Sequence, residues 1–303
     1  EEAENRLLSN RLSQMEQLSR QTHQTLPADW WYQAKRHVLL FHEHTWGSWN
    51  SISEPDAPFS IRQWEYKKRL LDSARYDVQR IEQALLQPKK NEAFVVYNTL
   101  PWARSGVVEI AWSATLPGNV LLDESGRIVP TQVLPDGRRI LVARNVPARG
   151  ARRYRLSRMD SPPPGEEIAP VFQAAHDPET GAIASLIVKE REWLRPGPYG
   201  GLLQAVYVAG QDPARFYLSK LRQEWTINGP VVRRWQARAT LEGANEVRYE
   251  MSQYRGLDLL HLAVAIDKKS VRDKEALHIA FPFRLDSATV RVGEGDAWIS
   301  PEE

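Results

Sequence analysis

The spacing of apolar residues gives the chain two textures, with the change near residue 90. Leu7, Leu8, Leu12, Met15 and Leu18 recur at helical intervals on one face, and Pro27 ends the pattern. Asp29 is a suitable N-cap for a second helix running from Trp30 to about Phe41. A loop follows from about His44 to Phe59, punctuated by Gly47, Pro55 and Pro58. Ser60 and Gln63 have the spacing of a capping box, in which each side chain reaches the other's backbone amide. The third helix then carries Ile61, Trp64, Leu71, Ala74, Val78, Ile81 and Leu85 on one stripe, with Pro88 just beyond it. Three helices with short connections predict a small bundle over residues 1–90.

From Phe94 onward the period is that of strands. Phe94–Tyr97 and Val107–Trp112 are short apolar runs bounded by turn residues. Asp136-Gly137 marks a hairpin between Thr131–Leu134 and Arg139–Val142. After the linker-like Ser161–Gly165, the stretches Ala174–Leu186, Val231–Leu241, Asn245–Tyr254, Leu259–Ile266 and Leu277–Arg284 read as strands or strand pairs. No helical pattern alternates with them, which argues against a parallel sheet of βαβ units. The expected fold class is α+β: an N-terminal three-helix bundle followed by a large antiparallel β-sandwich over residues 91–303, whose C-terminal end need not be complete. No internal repeat is visible.

Composition narrows the chemistry. The 303 residues are 42% hydrophobic and 26% charged, enough for a soluble core and too balanced, at a net charge of +2, to imply a polyanionic partner. The arginines between Arg138 and Arg155 read as a solvated strand face, and no aromatic–basic motif of an RNA-binding fold accompanies them. No apolar run approaches the roughly 18 residues of a membrane-spanning helix, so neither nucleic acid nor a membrane is an expected partner. Cysteine is absent, which removes disulfides, thiolate metal sites and cysteine nucleophiles. With no signal peptide at Glu1–Glu4, the cytoplasm is the favoured compartment. No nucleotide-binding fingerprint occurs.

The densest cluster of reactive side chains is Phe41-His42-Glu43-His44-Thr45-Trp46-Gly47-Ser48-Trp49-Asn50. Two imidazoles and a carboxylate at the end of an apolar helix suit a Zn²⁺-type ion. His42 and His44 are two apart and diverge on a continuous helix, so one ligand from here, completed elsewhere, is the simpler arrangement. The other reading is histidines bonded to backbone for structural reasons. A His-Glu-x-x-His zinc motif is excluded, because its second histidine would stand at Trp46. His23, His37, His176, His261 and His278 have no partner at a ligand spacing. Of the eleven tryptophans, Trp64, Trp102, Trp112 and Trp235 fit core positions. Glu54 and Asp56 read as part of a solvated loop, and Asp177–Gly181 as a hairpin turn without the alternating acids of a calcium loop.

This segment resembles one in family 38 glycoside hydrolases, the α-mannosidase family, where a zinc-ligand histidine lies five residues before a glycine and is followed by an acid. Further landmarks resemble the family in order: Arg62–Lys67, Val96–Trp102 with its N-x-L-x-W pattern, Asp177–Leu186 and Asp273–Phe283. The resemblance implies a galactose-mutarotase-like β-domain, a divalent metal such as Zn²⁺, and a mannose-containing oligosaccharide as substrate of the intact enzyme. It makes His42 the metal ligand, with His44 as the alternative, and gives Glu43 a sugar hydroxyl to bind. Trp46, and Trp49 near it, would stack on the sugar. Glu43 departs from the Asp common at its position, one methylene shorter. The family's nucleophile and other ligands come from an N-terminal α/β domain, which nothing in this chain resembles. That domain is therefore an expected partner, and these residues alone are expected not to turn over substrate. A different class of function is a non-catalytic carbohydrate-binding or scaffold module. A third, a self-sufficient small metal hydrolase, requires further ligands that the sequence does not supply.

Overall fold

A computed structural model describes residues 1–43, 50–86, 93–110, 118–161, 171–195, 197–198, 200–210, 214–294 and 297–300. The chain forms two compact units. The first comprises Glu1–Ser105, Ser113–Ile128 and Ala143–Asp160, and the second Gly106–Trp112, Val129–Val142 and Ser161–Glu303. Among the described residues the architecture is α+β, with three helices and antiparallel sheets.

The helices are α1 (Glu2–Thr22), α2 (Ala28–His42) and α3 (Pro58–Leu85). Their apolar stripes meet in one core: Leu8, Leu12, Met15 and Leu18 from α1, Ala34, Val38 and Phe41 from α2, and Leu70, Leu71, Ala74, Val78, Ile81 and Leu85 from α3. Burying a side chain of this size contributes about 1.5–3 kcal/mol, which holds together helices that would be marginal alone. Asn5 joins the stripe by donating its amide to the Val38 carbonyl at 3.0 Å. Leu7 does not join it and stands exposed. α1 stops where His23 adopts a left-handed conformation at φ 53°.

Three local expectations are corrected. α2 begins at Ala28 behind Pro27, and Asp29 lies in its first turn without capping it. α3 begins at Pro58, where a proline has no amide to leave unpaired. Ser60 is thus already inside the helix. Its hydroxyl donates to the Glu54 carbonyl and to Asn50 Oδ1, so no capping box forms with Gln63. Apart from Ser60, the buried stripe of α3 runs from Lys67, and Ile61 and Trp64 are exposed.

The strands are β1 (Ala93–Tyr97), β2 (Arg104–Ile110), β3 (Val120–Leu122), β4 (Ile128–Val129), β5 (Thr131–Val133), β6 (Arg139–Val146), β7 (Ala151–Ser157), β8 (Phe172–His176), β9 (Ile183–Val188) and β10 (Arg191–Glu192). They continue with β11 (Ala205–Ala209), β12 (Ala214–Tyr217), β13 (Ser219–Asn228), β14 (Val232–Leu241), β15 (Ala244–Tyr254), β16 (Leu260–Lys268), β17 (Glu275–Ile279), β18 (Val292–Glu294) and β19 (Ala297–Ile299). In the first unit β7 pairs with β1 on one side and β3 on the other. Asn98, just past β1, organises the turn there. Its amide donates to the carbonyls of Trp102, Val146 and Pro147, and its Oδ1 accepts from the Leu100 amide. This accounts for the N-x-L-x-W pattern as a folding device. Trp102 supplies a carbonyl to it, and its indole is exposed, not in the core. Gln21 of α1 donates to the Asn98 carbonyl at 3.0 Å and so joins helix to strand.

In the second unit the long sheet β13-β14-β15-β16 packs with β8-β9-β10 and β12-β11-β17 around one core. Ile183, Leu186, Tyr207, Trp235, Val247 and Met251 are central to it. Alternate residues of β14 and β15 point inward, as a half-buried antiparallel sheet requires. The β8–β9 hairpin turns on Asp177, whose Oδ1 accepts from the amides of Glu179 and Thr180, with Gly181 at φ +69°. Buried Gln132 takes the amides of Val231 and Val232 on its Oε1, fixing the start of β14. That contact needs Gly229, because a Cβ there would collide with the Gln132 amide group.

Candidate functional site at the end of helix α2

The C-terminal turn of α2 presents His42 and Glu43 because its preceding residues are anchored. Phe41 and Val38 are buried in the bundle core. His42 follows as an exposed residue, its imidazole edge-on to the Phe41 ring with centroids 5.8 Å apart. The helix stops at Glu43, whose φ of −58° and ψ of 144° are extended.

Lys67 of α3 makes this end. Its side chain is 2% exposed. Nζ donates to the Leu40 carbonyl at 2.8 Å, to the Glu43 carbonyl at 2.8 Å and to Glu43 Oε2 at 3.0 Å. An ammonium has three protons, and among the described residues three acceptors face it. Two of these acceptors are carbonyls of the helix terminus, where the aligned peptide dipoles favour a cation. A buried charge is costly unless it is paired and hydrogen-bonded, and Lys67 is both. The Glu43 side chain remains 37% exposed. The result is a pinned helix end with an outward imidazole and a carboxylate turned by an ion pair.

One turn and a half back along α2, His37 Nδ1 lies 2.8 Å from Asp77 Oδ2 of α3. Arg80 holds the other Asp77 oxygen at 3.3 Å and stacks over Trp30 at 4.2 Å. Sequence spacing does not reveal this pair, because its members are 40 residues apart. Lys67 and Asp77 do carry one signal: both are ionic residues falling within the buried stripe of α3.

Of the sequence candidates, His42 and Glu43 are adjacent at this end. His44, Trp46 and Trp49 lie outside the described residues. Glu54 is used locally, accepting from the Asn50 amide at 3.3 Å. Among the described residues no group of three or more histidine, aspartate or glutamate side chains is placed to hold a metal ion. An exposed imidazole fits one ligand of a divalent metal. A carboxylate already engaged by an ammonium fits a hydroxyl acceptor better than a second ligand. Among the described residues no helix is long and apolar enough to cross a membrane.

Comparison with protein-family models gives no match, and comparison with curated proteins gives none. Solved structures do match, and they define a fold: that of the α-mannosidase structures of glycosyl hydrolase family 38. An α-mannosidase from Enterococcus faecalis V583 superposes with a TM-score of 0.59 at 13% identity, over 93% of this chain and 41% of its own. A glycosyl hydrolase family 38 protein from Enterococcus faecalis gives 0.52 at 13% identity, over 92% of this chain and 44% of its own. The chain therefore spans less than half the length of these structures. The likeness is one of fold, and it bears out the architecture expected from the sequence resemblance.

Proposed function

We propose that this chain is the helical and β-sandwich part of a metal-dependent, retaining α-mannosidase-type glycoside hydrolase. The observation that carries the reading is the fold likeness over 93% of the chain, with His42 and Glu43 presented together at a helix end. In this reading His42 donates one imidazole nitrogen to the metal, and Glu43 accepts a hydrogen bond from a sugar hydroxyl. Lys67 holds the Glu43 carboxylate in place through its contact with Oε2. A bound divalent cation would supply a template that holds neighbouring hydroxyls and orients the ring. The two carboxyl groups of a retaining mechanism, about 5–5.5 Å apart, are assigned to residues outside this chain. Glu43 is given no part in bond cleavage, since its oxygen is committed to Lys67.

The test is hydrolysis of an aryl α-mannoside by the intact protein, with and without a chelator, following the anomer first released by NMR. Metal-dependent hydrolysis with retention supports the reading. Inversion, or activity indifferent to thorough chelation, overturns it.

A further inference from the structure

The second unit carries an aromatic cluster that the site above does not use. β13 is an edge strand exposed along most of its length, with only Leu221 and Ile227 half-buried. Trp225 stands in it among Arg222, Gln223 and Glu224 and is 42% exposed. Its cross-strand partner is Trp235, which is buried, so this pair marks where the core reaches the surface. His176 stacks on Trp235 at 3.8 Å with planes 18° apart and meets Trp225 edge-on at 6.4 Å. The Arg233 guanidinium lies over the Trp225 ring at 4.1 Å. Among the described residues, Arg233 Nε and both nitrogens of His176 are buried with no hydrogen bond of good geometry. The His176 imidazole is thus used as a flat packing surface. The Trp225 indole is thus held by Arg233 over one face and by His176 in a T-shaped contact, while the residue stays 42% exposed. Gln223, two residues back on the same strand face, sets hydrogen-bonding groups beside it.

From this arrangement we propose that Trp225 is a stacking platform for a neutral hexopyranose. The C–H face of the sugar covers the free indole surface. Arg233 backs the opposite face of the ring, and the Gln223 amide reaches the sugar hydroxyls. A preorganised aromatic surface loses little side-chain entropy on binding, so a single ring suffices for weak, useful affinity. The choice of a sugar over other ligands with an apolar face rests on the glycoside hydrolase reading above. In an enzyme of that kind the platform holds a remote part of an oligosaccharide.

The experiment is saturation-transfer NMR, with titration, of methyl α-mannopyranoside, mannobiose and maltose against this chain. It is run on the parent and on Trp225→Ala, Trp225→Phe, Leu39→Ala and Glu43→Gln, the last to separate this platform from the site on α2. We expect millimolar binding that weakens at least about tenfold in Trp225→Ala, stays within about threefold in Trp225→Phe, and is unchanged in Leu39→Ala, an exposed position of the bundle with no part in either site. Unaltered binding in Trp225→Ala, with its circular dichroism like the parent's, overturns the platform. So does the absence of binding by any sugar up to about 20 mM. Loss in Glu43→Gln but not in Trp225→Ala refutes the platform and supports the site on α2. Equal binding of maltose and mannobiose, lost in Trp225→Ala, supports the platform and counts against a mannoside-specific protein.

Discussion

Replacing Lys67 with methionine isolates what pins the end of α2. Methionine keeps most of the buried stem's volume and removes the ammonium. The carbonyls of Leu40 and Glu43 then lose donors that now sit 2.8 Å away, and the Glu43 carboxylate loses its counter-ion. The carboxylate is more than a third exposed, so water recovers most of its solvation, and that part costs less than about 1 kcal/mol. The two carbonyls lose charge-assisted bonds in a site whose donor was 2% exposed, at about 1–2 kcal/mol each. The expected loss for Lys67→Met is about 3 kcal/mol, against less than about 1 kcal/mol for Glu43→Gln. Urea unfolding followed at 222 nm, where the helical bundle dominates, measures both. Hydrogen exchange should also quicken in the last turn of α2 in Lys67→Met and leave α1 protected. A loss below about 1 kcal/mol in Lys67→Met, or equal losses in the two variants, would refute the reasoning.

Three more outcomes follow from named contacts. Asn98→Ala removes bonds to the Trp102, Val146 and Pro147 carbonyls and the Leu100 amide, and should cost about 2–4 kcal/mol in urea unfolding. Burial lowers the His176 imidazole to about 4 from its ordinary 6.5, a nearby Gly181 backbone group working slightly the other way. Between these values the unfolded chain holds a proton that the native one does not. Stability is therefore highest above pH 6.5 and falls as the pH drops toward 4, by at most about 3 kcal/mol. His176→Phe should flatten that slope in unfolding experiments across the same range. Calorimetry with zinc should find no binding to this chain tighter than about 10 μM, as suits a single ligand; tight binding lost in His42→Ala would show a complete site in these residues.

The bundle was legible because the spacings of Leu8, Leu12, Met15 and Leu18, and of Leu71 through Leu85, are those of a buried helix face. The antiparallel β character was equally plain in β14 and β15, where inward and outward residues alternate. Other features depend on tertiary structure. Trp64 and Ile61 have the right period for the α3 stripe, but both are exposed, and the apolar stripe is buried only from Leu70 onward. β13 went unread because an edge strand exposed on both faces has no alternation. The N-x-L-x-W segment was noticed as a likeness, and its meaning became clear only from the bonds of Asn98. At the site, the sequence singled out His42 and Glu43 by chemistry alone. It could not show that Lys67 ends the helix, since its place in the α3 stripe flags a buried charge but not the carbonyls it meets.

The central claim is that His42 and Glu43 serve the sugar chemistry of a family 38-like hydrolase. It is tested most directly by kcat/KM for an aryl α-mannoside in the intact protein, comparing His42→Ala and Glu43→Gln with Leu39→Ala, an exposed neighbour on the same helix. The account predicts losses of roughly a hundredfold or more for the first two and almost none for Leu39→Ala. Activity in His42→Ala and Glu43→Gln within about threefold of the parent would contradict it.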